Sequence, residues 1–114
     1  MKRATSVAVV SLAGELGDRV GWWLSREYRV VRAVDPSAPL TVLVLSRDHG
    51  RDHEQVEAIR RTVPDGWLVV TGYGDQPPEW AARLVARDRR VVTVFPAAPA
   101  VLQVTARSLL NRDP

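Results

Sequence analysis

The stretch WLVVTGYGD, residues 67–75, determines the fold class that we expect for this chain. Its first four residues form a continuous apolar run, and Gly72 and Gly74 follow it closely. A short apolar run without alternation is typical of a strand buried on both faces of a parallel sheet. We therefore predict a strand over Trp67–Thr71.

Similar apolar runs on either side of this stretch predict further strands. They lie at Ser6–Leu12, Thr41–Leu45 and Val91–Phe95. A fifth run, Tyr28–Val34, alternates apolar residues with arginines, which favours a strand at the edge of the sheet.

Segments with helical spacing of apolar residues follow most of these strands. They cover Gly14–Glu27, Asp52–Thr62, a segment that starts at Pro77 or Pro78, and a last segment that starts at Pro99. Asp52 is a candidate helix cap because Gln55 stands three residues later. The alternation of strands and helices predicts a three-layer α/β sandwich with a five-stranded, mostly parallel sheet.

The second helix of such a fold is missing. Between the second and third predicted strands only Asp35–Leu40 remains, which is too short for a helix but long enough to return along the sheet. We predict a parallel crossover here, and an antiparallel hairpin is the alternative.

Length and composition restrict the function classes. The 114 residues predict a single domain over residues 1–114, and the lack of cysteine excludes disulfides and thiolate metal sites. No run reaches the length of a membrane helix, so we expect a cytoplasmic protein without membrane contacts. The net charge of +3 is mild and the arginines are scattered along the sequence, so we expect no direct binding to nucleic acid.

The ends of the predicted strands resemble those of receiver domains from two-component response regulators. The run TGYGD, residues 71–75, is similar to the end of the fourth receiver strand, and the segment from Phe95-Pro96 to Leu110 is similar to the final Lys-Pro and helix. The resemblance covers nearly the whole chain and implies the strand order 2-1-3-4-5.

The same resemblance implies a degenerate pocket, that of a pseudo-receiver. Ser11 and Leu12 stand where the family has its metal-binding acids, Ser46 stands at the phosphoacceptor aspartate, and Phe95 replaces the lysine. Thr71 and Pro96 match their family positions. Because Mg²⁺ needs carboxylate oxygens and an acyl phosphate needs a carboxylate nucleophile, we expect no phosphorylation, no catalysis, no metal and no cofactor.

Two other patterns offer alternatives. Gly14 and Gly17 open a helix after a strand, and Asp35 follows the next strand, which together are similar to a dinucleotide-binding turn. The segment Arg47–His53 repeats Arg-Asp-His, but Gly50 interrupts the helical register that a metal site would need. A small nucleotide- or cofactor-binding domain is therefore the alternative function.

The main expectation is a regulatory or protein-interaction domain of a signalling or transcription-regulating protein. The resemblance implies a homodimer, or a regulatory protein partner, through the last strands and helices, with Trp80, Arg83, Arg87 and Leu102 as interface residues. An uncharged pocket around Ser11, Ser46 and Thr71 would also permit a small-molecule ligand.

Overall fold

The computed structural model describes residues 5–112, in which five strands alternate with four helices. The strands are β1 (Ser6–Ser11), β2 (Arg29–Val31), β3 (Leu40–Val44), β4 (Trp67–Thr71) and β5 (Val91–Val94). The helices are α1 (Gly14–Leu24), α2 (His53–Thr62), α3 (Glu79–Arg87) and α4 (Pro99–Arg112), and a short 3₁₀ helix at His49–Arg51 precedes α2.

The five strands form one sheet in the order β2-β1-β3-β4-β5, and all of its strand pairs are parallel. The predicted fold class and strand order are thus confirmed. The chain between β2 and β3 has no helix, and it returns as the predicted parallel crossover, since β1 pairs in parallel with both of these strands. The hairpin alternative is wrong.

The edge strand β2 is shorter than the predicted Tyr28–Val34. Tyr28 is buried in the core before the strand begins. Arg32 leaves the strand to lie over Gly21 of α1, where an added Cβ would come within 2.7 Å of the guanidinium, and it pairs with Asp18. The strand thus ends at Val31, and Arg32 contacts α1 instead of continuing the sheet.

Helices cover both faces of the sheet, which explains why the strand sequences are continuously apolar. On one face α1 and α4 pack against β1, β3 and β4 through buried residues such as Val20 and Leu102. On the other face α2 and α3 contribute Val56 and Leu84. The central strand β3 is buried along its whole length.

A polar contact between Arg60 and Asp88 lies at the end of the sheet where the parallel strands begin, which we call the amino edge. We call this contact the clasp. The guanidinium of Arg60, at the end of α2, donates to both carboxylate oxygens of Asp88 at 2.8 and 2.9 Å. It also donates to the carbonyls of Val63 and Gly66. These bonds hold the pKa of Asp88 below its ordinary value, the Arg60 hydrogen bonds being the largest cause. The clasp joins the loop before β4 to the loop before β5.

Candidate functional site

The residues of the predicted pocket meet at the end of the sheet where the parallel strands terminate, which we call the carboxyl edge. Ser11 ends β1 and Thr71 ends β4, and each is in register with Val44, the last residue of β3. Ser46 follows β3 after one intervening residue, and Phe95 directly follows β5. The parallel register therefore brings these positions together, as predicted from the strand ends.

Apolar side chains fill part of this edge. Leu12 and Phe95 pack against the buried cluster that contains Leu45. The Phe95 ring lies 3.4 Å from the place where a Cβ on Gly72 would stand, so it covers the end of β4 closely. Leu12 and Phe95 thus extend the hydrophobic core to this edge.

Thr71 is bound to the neighbouring strand. Its side chain is fully buried, and its hydroxyl donates to the carbonyl of Val94 at 2.6 Å. The Thr71 hydroxyl therefore lies beneath the surface and is already used, and a small-molecule ligand at this edge stays a prediction.

Sequence reasoning missed a buried carboxylate at this edge. Asp52 is only 5% exposed, and its side chain accepts hydrogen bonds from the Ser46 amide at 2.8 Å and from the Ser46 hydroxyl at 2.9 Å. Asp52 does stand at the predicted N-cap position of α2, but its carboxylate makes no capping hydrogen bond to the helix and turns back to Ser46 instead. The nearest sequence signal was the acid at the predicted helix start.

The rim of the edge carries a cation stacked on an aromatic ring. The Arg47 guanidinium lies 4.1 Å from the centroid of the Tyr73 ring. Arg47 lies in the segment that follows β3, and Tyr73 lies in the segment that follows β4. The edge therefore combines an apolar surface, a carboxylate bound internally and one guanidinium held over a ring.

The dinucleotide-like pattern does not assemble into a site. Space above Gly17 is occupied by the side chain of Ser11, so this glycine allows α1 to approach β1 rather than a phosphate to approach the helix. Gly14 stands at the carboxyl edge. Asp35 lies in a turn near the other edge, since its backbone carbonyl accepts from Ala38 and its pKa is lowered by hydrogen bonds from Ser37 and, less strongly, by Arg29 at the start of β2.

The two histidines of the Arg-Asp-His repeat contact Trp80 instead of each other. The His49 carbonyl accepts a bond from Trp80 Nε1 at 3.0 Å, and the His53 ring stacks on the indole at 5.1 Å. Within residues 5–112 no three histidine, aspartate or glutamate side chains are grouped as a metal site would require.

The predicted interface residues differ in accessibility. Arg83 and Arg87 are exposed and form ion pairs with Glu79 and Glu57, respectively. Leu102 is 2% exposed and belongs to the core under α4, so its assignment to an interface is wrong. It lies on the inward stripe of the helix.

Apolar surface on α4 is provided by two other residues. Val101 and Val104 are 50% and 60% exposed, one helical turn apart. They border a groove of about 700 Å³ between α4 and β5, which includes Thr93, Pro96 and Thr105 among its lining residues. This groove was not anticipated from the sequence because the helical stripe indicated only the inward face.

The fold is that of a receiver domain. A solved structure titled "BeF3 Activated DrrB Receiver Domain" is similar to this chain with a TM-score of 0.65 and 20% sequence identity, covering 93% of this chain and 97% of that chain. The sequence matches no family model. It also matches no curated protein. Among the described residues, no helix has the length and apolar character to span a membrane.

Proposed function

We propose that this chain is a regulatory domain that acts without phosphorylation, by pairing with a second copy of itself. The observation that carries the proposal is the filled carboxyl edge. Leu12 and Phe95 extend the core there, and Asp52 is bound to Ser46. If a domain of this fold is not phosphorylated at the carboxyl edge, it can still act as a regulator through contacts made by its surface.

Phosphotransfer at this edge would need groups that the described residues do not bring together. A serine hydroxyl attacks phosphorus only when a base removes its proton, and the product is an ester rather than an acyl phosphate. The Ser46 hydroxyl does face Asp52, but within residues 5–112 no three histidine, aspartate or glutamate side chains are grouped so that they could hold Mg²⁺. The geometry therefore supports a structural use of the Ser46–Asp52 contact.

The surface between α4 and β5 supports pairing. β5 lies at the edge of the sheet, and exposed Val101 and Val104 stand beside the groove next to it. In a two-fold pair each copy can place these valines in the groove of the other, so a single apolar patch is used twice. Arg83 and Arg87 remain predicted as charged residues at the rim of this contact.

Incubation with acetyl phosphate and Mg²⁺ tests the first part of the proposal. We expect the intact mass of the protein, measured by electrospray mass spectrometry, to stay unchanged. A BeF3⁻ complex with Mg²⁺ should likewise leave the amide spectrum unaltered. A stable phosphoryl adduct on Ser46 or Asp52 would refute phosphorylation independence.

Light scattering coupled to size exclusion tests the pairing. We expect a dimer for the wild type and a monomer for Val101→Glu/Val104→Glu. Val34→Glu is the matched control, because Val34 is also an exposed valine but lies in the β2–β3 crossover. A wild-type monomer at about millimolar concentration, or equal dissociation by the control, would refute the proposed interface.

A further inference from the structure

The fold gathers arginines that are scattered along the sequence onto the amino edge of the sheet. We use the name arginine edge for the arginines in the helix ends, loops and strand starts at this edge: Arg26, Arg29, Arg60, Arg61, Arg87, Arg89, Arg90 and Arg107. They outnumber the carboxylates in the same region, which are Glu27, Asp35, Asp65 and Asp88.

The opposite edge has the reverse balance. Its carboxylates are Glu15, Asp18, Asp48, Asp52, Glu54, Asp75 and Glu79, against the arginines Arg19, Arg32, Arg47 and Arg51. Helix dipoles favour this distribution, since acids are stabilised at helix N-termini and arginines at C-termini. They do not account for Arg89, which lies in the loop after α3, or for Arg29, which begins a strand.

The centre of the arginine edge is organised by the Arg60–Asp88 clasp. The Arg60–Asp88 ion pair has no net charge. Arg61 follows Arg60 in α2 and Arg89 follows Asp88, so an exposed arginine stands next to each member of the pair. Within residues 5–112 neither Arg61 nor Arg89 has a carboxylate within ion-pair distance. Arg61 lines a surface cavity together with Glu54 and Glu57 but forms an ion pair with neither, so both guanidinium groups can still donate to an external acceptor.

Two further arginines of this edge cover aromatic rings. The Arg26 guanidinium lies 4.5 Å from the Trp22 ring centroid, and the Arg90 guanidinium lies 5.1 Å from that of Trp67. Single-stranded nucleic acids gain much of their affinity by stacking bases on open aromatic faces. An arginine covers one face of each ring, and carboxylates interrupt the arginines, which disfavours a continuous phosphate backbone.

We propose that the arginine edge binds an acidic protein segment through Arg61 and Arg89. Arginine presents a planar fork of donors that matches a carboxylate, and the side-chain carboxylates of a peptide can be spaced to meet separated arginines. The contact is distinct from the α4–β5 surface, so a dimer can bind one such segment on each copy.

Fluorescence anisotropy with a labelled deca-glutamate peptide tests the proposal. At an ionic strength of about 0.05 M we expect saturable binding that weakens as salt rises, because exposed charges are screened. Arg61→Glu/Arg89→Glu should weaken binding about tenfold or more, since it places like charges opposite the ligand. Arg19→Glu/Arg51→Glu changes the net charge equally at the opposite edge and should bind as the wild type does.

Each outcome supports or overturns the proposal. Equal weakening by the two double variants would show that only net charge matters, and lack of binding by the folded wild type would also overturn it. Tighter binding of labelled deca-thymidylate than of the peptide, lost in Arg61→Glu/Arg89→Glu, would assign the edge to nucleic acid. Circular dichroism confirms the fold of each variant. Light scattering on the same samples shows whether the protein dimerises, so that a lack of dimerisation is distinguished from a lack of peptide binding.

Discussion

Replacement of Asp52 tests the internal binding of Ser46 most directly. Asp52→Ala removes the acceptor of two hydrogen bonds, one from the Ser46 amide and one from its hydroxyl. Ser46→Ala removes the hydroxyl bond alone and leaves the amide bond in place. Asp52→Asn keeps one acceptor oxygen. The three variants thus remove different parts of a single contact.

The expected loss of stability follows from the burial of the carboxylate. Asp52 is 5% exposed, so loss of its bond to the Ser46 amide forfeits a hydrogen bond to a charged acceptor, which contributes about 1.5–3 kcal/mol. Loss of a negative charge at the start of α2 adds about 0.3–1 kcal/mol. Asp52→Ala should lower the free energy of unfolding by about 2–4 kcal/mol, against about 1 kcal/mol for Ser46→Ala.

Urea denaturation followed by circular dichroism measures these differences. Asp52→Asn should fall between the other two variants. Hydrogen exchange should locate the change, with the Ser46 amide losing protection in Asp52→Ala and keeping it in Ser46→Ala. If Ser46→Ala destabilises the protein as much as Asp52→Ala does, the carboxylate does not hold the loop and the reasoning fails.

Three further predictions concern the packing of the fold. Gly17→Ala should lower the free energy of unfolding by about 1–3 kcal/mol, because its methyl group would overlap the Ser11 side chain. Thermal melting should show that Gly17→Ala/Ser11→Gly regains the stability lost in Gly17→Ala, and a double variant that stays as unstable as Gly17→Ala would exclude this clash. Asp88→Asn should be destabilised by about 2–3 kcal/mol near pH 7. Because Arg60 lowers the folded-state pKa of Asp88, this contribution is present above the unfolded-state value of 3.8 and is lost as the pH falls through the folded-state pKa. Denaturation at about pH 7 and about pH 3 should show the gap to the wild type narrowing, and a constant gap would contradict the linkage. Thr71→Val should cost about 1–3 kcal/mol by leaving a buried β5 carbonyl unpaired, and a neutral effect in urea denaturation would contradict this.

Four of the five strands were accessible from the sequence because each one is a continuous apolar run between polar loops, and the strand order was implied by the resemblance to receiver domains. The run at residues 67–75 illustrates this, since β4 begins and ends where it was predicted. The absence of a helix from the crossover was also predictable, because Asp35–Leu40 is too short for one, but the length of this segment did not by itself exclude the hairpin. Burial on both faces gives the central strands continuous apolar sequences, whereas the edge strand β2 has exposed and half-buried residues and its end is not marked by such a pattern.

The polar parts of the site were less predictable. Ser46 and Asp52 are six residues apart, and their contact depends on the path of the loop and the 3₁₀ helix between them. The arginine edge likewise joins residues from separate loops, so a search for a basic stripe along the sequence does not reveal it. Side-chain direction after a strand ends is set by tertiary packing, which local spacing does not encode.

The crossover without a helix leaves β2 with little support. This strand has three residues, pairs with β1 alone, and is followed by a turn in which Ala38 is the buried anchor. Few buried contacts resist its separation, so opening of the sheet should begin there while β3 and β4 stay closed. The edge strand β2 can therefore separate from the sheet at a modest cost in free energy while the central strands keep their packing.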